Sequence, residues 1–141
     1  NLYLLDISEA AIERAKKRLG DKAKNVTFIV SDSLHFQTDE KFDVWHDRAS
    51  FHFFTEANDI EQYKNNLIAN TNENAQLIIG TFSEDGPLKC SGLPITQYSV
   101  EKMEAVFGAD FELENCFTED HETPFDSIQN FIVCHYKKTK N

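Results

Sequence analysis

A three-layer α/β fold is predicted by the way strand and helix patterns alternate along the 141 residues. Short apolar runs of the kind found in buried parallel strands are separated by amphipathic helical segments and polar linkers. The last two strands, near 111–118 and 126–136, are joined by a connection too short for a helical crossover, so they should be antiparallel neighbours. We therefore predict a single domain with a mostly parallel sheet that closes with an antiparallel hairpin.

The first strand and helix have clear boundaries in the sequence. Leu2, Tyr3, Leu4 and Leu5 form an apolar run that stops at an acidic residue, Asp6. Ser8 is suited to cap the following helix, and Gly20 to end it. Because the chain begins with Asn and enters a strand at once, we expect a fragment whose N-terminal strand and helix are missing.

Three more strands and two helices follow. A β-branched and aromatic strand covers 26–30, the third strand covers 42–47, and an apolar, central strand covers 75–82. A helix is predicted from about 57 to 71, and a shorter one from Ser99 to Phe107. Glycine and proline are so frequent in residues 84–98 that we predict an irregular loop there.

Charge and composition exclude some classes of partner. The formal net charge is −10, which argues against nucleic acid and anionic membranes, since binding phosphate needs a basic surface. No run is long enough for a transmembrane helix, and no signal-peptide pattern opens the chain. We predict a cytoplasmic protein that acts on a small-molecule or protein substrate.

The cysteines favour the same compartment. Cys90, Cys116 and Cys134 are odd in number and widely spaced, and they contain no CxxC pair. This pattern suits a reducing environment better than a disulfide framework or a zinc site, and no metal site is predicted. Cys134, within an apolar strand, is expected to be a small core residue.

Three consecutive ionisable residues end the third strand: His46, Asp47 and Arg48. Burying all of them unpaired would cost several kcal/mol each, so we expect them at the mouth of the strand, where open α/β sheets bind ligands. The alternative is an ion-pair cluster, with Asp47 bonded to Arg48 or His46, that only holds a loop.

An acidic residue ending an early strand, an Asp after the next strand and a closing antiparallel pair together resemble a class I S-adenosylmethionine-dependent methyltransferase. The stretch 43–53 is similar to one bacterial branch of that superfamily, and residues 121–125 and 129–131 resemble the C-terminal hairpin of the same branch. The resemblance covers nearly the whole chain. It implies a Rossmann-like methyltransferase sheet with S-adenosylmethionine as cofactor.

The resemblance also implies a cofactor site. Asp6, with Ile7, resembles the segment whose carboxylate binds the ribose hydroxyls, and charge-assisted hydrogen bonds suit a vicinal diol. Asp32, with Ser33, resembles the adenine contact. Asp47 and Arg48 are further candidates for cofactor binding. The structural alternatives are a turn beginning at Asp6 and an Asx-turn at Asp32.

One part of the family pattern is absent from this sequence. None of the five glycines belongs to a GxGxG group after a strand, although the family cradles the methionine end of its cofactor on such a loop. The strand before that loop would lie between the strands of residues 2–6 and 42–47. We therefore expect exposed sheet edges, possible self-association, and little cofactor binding or activity by the fragment alone.

Methyl transfer requires positioning and, for some acceptors, a base. His46, Asp47 and His52 are the candidate catalytic residues. Arg48 is a candidate for binding an anionic substrate group, with Phe51 and Tyr98 as further substrate-binding candidates. For Phe51 the alternative is an ordinary place in the core.

Two other functions are compatible with the sequence. An NAD(P)-binding oxidoreductase also places an acidic residue after its second strand, but it lacks the closing antiparallel pair. A non-catalytic, methyltransferase-like interaction module would use the exposed sheet edge. The methyl acceptor cannot be chosen from the sequence.

Overall fold

The computed structural model describes residues 1–139, which form two compact units divided between Thr38 and Asp39. In the first unit, strand β1 (Leu2–Asp6) is followed by helix α1 (Glu9–Leu19), a 3-10 helix (Gly20–Asn25) and strand β2 (Val26–Val30). The two strands are parallel neighbours. Their carboxyl ends therefore lie at the same edge of this small sheet.

Both predicted ends of α1 are confirmed. The hydroxyl Oγ of Ser8 accepts a hydrogen bond from the backbone N–H of Ala11 at 3.1 Å, which satisfies one of the free donors in the first turn. At the other end, Gly20 has a φ of +57°, and its N–H donates to the carbonyl of Lys16. Ile12 is buried, as its place on the apolar face predicts.

The second unit contains the larger sheet. Its strands are β3 (Phe42–Arg48), β4 (Thr71–Phe82), β5 (Lys89–Cys90), β6 (Leu93–Pro94), β7 (Phe111–Glu122) and β8 (Ile128–Lys138). Its helices are α2 (Ala57–Ala69) and α3 (Val100–Phe107), with a 3-10 turn at Phe51–Phe53.

The four long strands of this unit lie in the order β3-β4-β8-β7. Strands β3 and β4 are parallel, whereas β8 is antiparallel to both of its neighbours, β4 and β7. Within this sheet β8 therefore runs against the other three strands. The predicted α/β sheet with a closing antiparallel hairpin is confirmed, and so is the central position of β4.

Two sequence expectations are wrong. Residues 84–98 contain a small antiparallel hairpin, β5–β6, because Ser91 and Gly92 both adopt positive φ (51° and 76°) and so form a tight two-residue turn. Cys116 and Cys134 are opposite each other in β7 and β8 and form a disulfide, whereas Cys90 is free. Widely spaced cysteines became neighbours through the register of the hairpin.

An aromatic core lies between the helices and the sheet in the second unit. Phe51 packs against Tyr63 of α2 and Phe107 of α3 at ring-centroid distances of 4.7 and 5.3 Å, and Phe107 packs on Tyr136 of β8 at 5.8 Å. All four side chains are fully buried. Burial of these four large aromatic side chains is a main source of stability for the unit.

Lys138 is buried at the end of β8 and stabilises the C-terminus of α2. Its ammonium Nζ donates to the carbonyl oxygens of Ile68 and Thr71, both at 2.8 Å. We expect Lys138→Met to lower the free energy of unfolding by about 2 kcal/mol, because two carbonyls lose a charged donor. Chemical denaturation measures this loss. The exposed Lys89→Met is the control, and an equal loss in both variants would contradict the assignment.

Candidate functional site

Asp47 is buried, although its two neighbours in β3 are exposed. Because alternate residues of a strand point to opposite faces, Asp47 faces the core while His46 and Arg48 face away from it. Its carboxylate Oδ2 accepts a 2.6 Å hydrogen bond from the Tyr63 hydroxyl, and Oδ1 accepts one of 3.2 Å from the Phe51 N–H. The expected position of Asp47 at an open strand mouth is therefore wrong.

A short polar chain crosses this part of the core. The indole Nε1 of Trp45 donates to the Tyr63 hydroxyl at 3.1 Å, and that hydroxyl in turn donates to Asp47. Burial raises the pKa of Asp47, although the hydrogen bond from Tyr63 acts against this. Asp47 thus connects β3 to α2 and to the turn that follows the strand. The ion pair considered for Asp47 and Arg48 is wrong.

His52 is fully buried in the 3-10 turn after β3. Its Nδ1 accepts a hydrogen bond from the Phe82 N–H at 3.0 Å, so the ring proton lies on Nε2, which has no partner within residues 1–139. Burial lowers the pKa of His52 to about 4, and the ring is neutral near pH 7. His52 connects this turn to the end of β4. Because His52 is buried, it is not available as a base at the mouth of the strand.

Arg48 lies on the exposed side of β3. Its guanidinium carbon is 4.3 Å from the centroid of the Phe131 ring, and its Nη2 is 3.8 Å from Oε1 of Glu119. His46 is also exposed, in the same strand. Of the three predicted catalytic residues, His46 is the one whose side chain reaches solvent.

Phe51 and Tyr98, the other predicted substrate contacts, both belong to the core. Their rings are 5.2 Å apart, and the Tyr98 hydroxyl has no hydrogen-bond partner within residues 1–139. Burial raises the pKa of the Tyr98 hydroxyl. The structure shows Phe51 in the core, which was the alternative considered for it. Burial disfavours substrate contact by either Phe51 or Tyr98.

In the first unit, Asp6 ends β1 with its carboxylate partly exposed. One oxygen, Oδ1, accepts a 2.8 Å hydrogen bond from the Ser8 N–H, and the other has no hydrogen-bond partner within residues 1–139. Ile7 beside it is largely exposed. A carboxylate with one oxygen fixed and the other accessible fits the predicted contact with ribose hydroxyls.

Asp32 lies just beyond the end of β2, at the same edge of the first unit. The carbonyl of Asp6 accepts from the N–H of Ser31, so the two chain segments are adjacent there. Asp32 Oδ1 accepts 2.8 Å hydrogen bonds from the N–H groups of Leu34 and His35. Its partial burial raises its pKa, but the hydrogen bonds from His35 and Leu34 outweigh this and leave the pKa lowered. The Asx-turn alternative is thus present, and adenine binding by Asp32 and Ser33 stays a prediction.

Sequence reasoning missed three residues of this region: Tyr63, Glu119 and Phe131. Helical periodicity is consistent with Tyr63 on the buried face of α2, but periodicity does not indicate where its hydroxyl points. Glu119 and Phe131 are directly opposite each other across β7 and β8. Strand alternation would have identified this pair only if the register of the hairpin had been known.

Residues 1–139 contain neither a metal-binding cluster nor a membrane-spanning helix. No group of three or more His, Cys, Asp or Glu side chains is arranged to hold a metal ion in that range. None of the helices there is long and apolar enough to cross a membrane.

Comparison with known families identifies the domain. The sequence model of a family described as a methyltransferase domain matches residues 1–125. The chain belongs to this methyltransferase family. The predicted recognition and fold class are thereby confirmed, and the NAD(P)-dependent alternative receives no support.

Solved structures of methyltransferases have the same fold. The N-methyltransferase NodS from Bradyrhizobium japonicum WM9, in complex with S-adenosylhomocysteine, superposes with a TM-score of 0.74 at 13% identity, covering 98% of this chain and 66% of that one. A S-adenosylmethionine-dependent methyltransferase from Methanosarcina mazei gives a TM-score of 0.77 at 12% identity, covering 99% and 82%. S-adenosylmethionine is the cofactor that the family and these relatives imply.

A curated relative matches a shorter segment. Malonyl-[acyl-carrier protein] O-methyltransferase 1 from Ilyobacter polytropus is 44% identical over 48 residues, which are 34% of this chain and 18% of that protein. The chain thus spans less than a fifth of this curated relative and about two thirds of NodS.

Proposed function

We propose that the whole protein transfers a methyl group from S-adenosylmethionine to an acceptor. The observation that carries this proposal is Asp6, a partly exposed carboxylate with one accessible oxygen at the end of β1 in a chain of a methyltransferase family. When bound, the cofactor supplies a methyl group on a positively charged sulfur. The transfer is an in-line displacement, to which a protein contributes mainly positioning and electrostatics.

The residues of this chain have separate roles in the proposal. Asp6 binds the ribose hydroxyls and Ile7 covers them, while Asp32 and Ser33 contact the adenine. His46 accepts a proton where the acceptor carries one, because it is exposed whereas His52 is buried and engaged with Phe82. Asp47 does not bind ligand directly. It stabilises the end of β3 through its buried hydrogen bonds to Tyr63 and Phe51.

Association and location are further proposals. Within the described residues, β1 pairs with β2 alone and β3 with β4 alone, so each has an edge that self-association could use. The cytoplasmic location stays a prediction, because the structure pairs two of the three cysteines on which it rested. NodS acts on nitrogen and the Ilyobacter protein on oxygen, so these relatives do not identify the acceptor.

Binding of S-adenosylhomocysteine to the full-length protein, measured by calorimetry, tests the proposal. We expect Asp6→Ala to weaken binding by at least about tenfold, since a charge-assisted hydrogen bond contributes about 1.5–3 kcal/mol. Asp6→Asn should also weaken it, although it keeps an oxygen for the Ser8 N–H.

The control is Asp21→Ala, which removes an exposed carboxylate from the same unit. Equal affinity in wild type and both Asp6 variants would exclude Asp6 from the site. Absence of any binding by the full-length wild type would refute the proposed function.

A further inference from the structure

We propose that Arg48 recognises a carboxylate group, with Phe131 as its support and Glu119 as a displaceable counter-ion. The proposal deepens the proposed function and rests on it for the source of that carboxylate, which is either the methyl acceptor or the methionine end of the cofactor. The recognition itself is argued from residues of the second unit alone.

The Arg48 side chain follows a defined path across the sheet. From the end of β3 it passes over β4, where a Cβ built on Gly80 would lie 3.6 Å from Arg48 Cγ. The guanidinium then lies over the ring of Phe131 in β8, 4.3 Å from its centroid. Phe131 is itself buried and packs edge-on against Phe82 at 5.0 Å. The ring thus supports the guanidinium by a cation–π contact and limits its orientations.

Glu119 is a weak partner for this guanidinium. The distance from Arg48 Nη2 to Glu119 Oε1 is 3.8 Å, whereas a charge-assisted hydrogen bond is about 2.7–2.9 Å. The side chains are 42% and 46% exposed, and ion pairs at such exposure contribute little to stability. Glu119 therefore neutralises Arg48 without occupying its donors, and a better-placed carboxylate would displace it.

The donors of Arg48 remain available. A guanidinium has five N–H groups in its plane, and stacking uses only its face. Within residues 39–139, the contacts of the guanidinium are with Phe131 and Glu119. The planar edge is thus free to donate to two oxygens side by side. A carboxylate matches this geometry with two parallel hydrogen bonds.

Few other basic residues are available to bind an anion near Arg48. Arg48 is the only Lys or Arg in residues 42–63, and residues 103–136, which include β7 and most of β8, contain none. A general attraction for anions is therefore absent on these segments, in a chain of net charge −10. Arg48 is therefore the one permanently charged cation on these segments, so substituting it should weaken carboxylate binding strongly.

Malonate is the probe, titrated by calorimetry into the full-length protein both without and with saturating S-adenosylhomocysteine. We expect saturable binding that Arg48→Lys weakens by at least about tenfold, since lysine keeps the charge but not the planar fork. We expect Glu119→Gln to strengthen binding by about threefold, because an exposed competing carboxylate is removed. Lys102→Gln, which breaks the exposed Lys102–Glu84 pair, is the control and should leave binding unchanged.

Further titrations distinguish the two sources. Malonate binding in the presence of S-adenosylhomocysteine assigns the site to the acceptor. Malonate that is displaced by S-adenosylhomocysteine but not by methylthioadenosine, which lacks the amino-acid part, assigns it to the cofactor.

Three results would overturn the proposal: no malonate binding under either condition, equal binding by wild type and Arg48→Lys, or phosphate bound as tightly as malonate. Its failure is separable from that of the proposed function. Malonate binding that depends on Arg48 in a protein without affinity for S-adenosylhomocysteine would retain the carboxylate site and refute methyl transfer.

Discussion

Replacing Tyr63 with Phe is expected to lower the free energy of unfolding by about 3 kcal/mol at pH 7, since a buried carboxylate loses a strong donor. The lost bond is the 2.6 Å hydrogen bond to Asp47, and Trp45 Nε1 loses its acceptor at the same time. Chemical denaturation of the full-length protein measures the change. Tyr98→Phe is a matched control with almost no effect, because the Tyr98 hydroxyl is buried without a partner within residues 1–139.

Making the same change in an Asp47→Asn background tests whether the charge of Asp47 causes the loss of stability. There the same Tyr63→Phe change should cost much less, because the hydroxyl no longer meets a charge, and the difference is the coupling energy of the pair. An equal loss in both backgrounds would show that the loss does not depend on the charge of Asp47.

The contribution of Asp47 to stability changes with pH in a defined direction. Burial raises the folded-state pKa of Asp47 above 3.8, so the native state holds its proton more tightly than the unfolded state. Asp47 therefore contributes stability at pH values below its unfolded pKa, and this contribution is lost as the pH rises through the folded pKa. The Tyr63→Phe penalty should consequently be larger at pH 7 than in the acid range.

Replacing His52 with Asn should remove an acid-sensitive part of the stability. Burial lowers the His52 pKa from 6.5 to about 4, so between these values the unfolded state binds the proton and the native state does not. Stability is therefore lost as the pH falls through this window, by about 3 kcal/mol in all. The measurement is the free energy of unfolding at several pH values from 7 to 4.

Asn is chosen because its Oδ1 can take the place of Nδ1 and accept from the Phe82 N–H without titrating. The readout is the slope against pH, since a smaller side chain also lowers stability at every pH. His46→Asn, at an exposed position, is the control and should keep the wild-type slope. An unchanged slope in His52→Asn would show that other groups cause the acid sensitivity.

Local signals were sufficient for many elements. The caps at Ser8 and Ser99 mark the starts of α1 and α3, because a hydroxyl that accepts from the first helical turn is needed at those positions. The apolar run of residues 75–82 predicts a strand covered on both faces, and β4 is central in its sheet. Positions with an unusual backbone conformation were harder to predict from the sequence. The turn at Ser91 and Gly92 was hidden among other glycines and prolines.

The register of distant strands was not available from local signals. The disulfide between Cys116 and Cys134 depends on how β7 and β8 align, and a bulge between Leu113 and Asn115 shifts that alignment by one residue. The same register places Glu119 opposite Phe131, within reach of Arg48. A one-residue slip would move each of these side chains to the other face.

The sequence by itself determined the fold class, the strand ends that carry Asp6 and Asp32, and the family. Only the tertiary structure decided which of the ionisable residues after β3 meet solvent. Alternation along a strand separates Asp47 from His46 and Arg48, but the packing of α2, with the Tyr63 hydroxyl, determines which face is buried. The reason is energetic: a carboxylate is buried only where other elements supply its donors, and those donors are distant in the sequence.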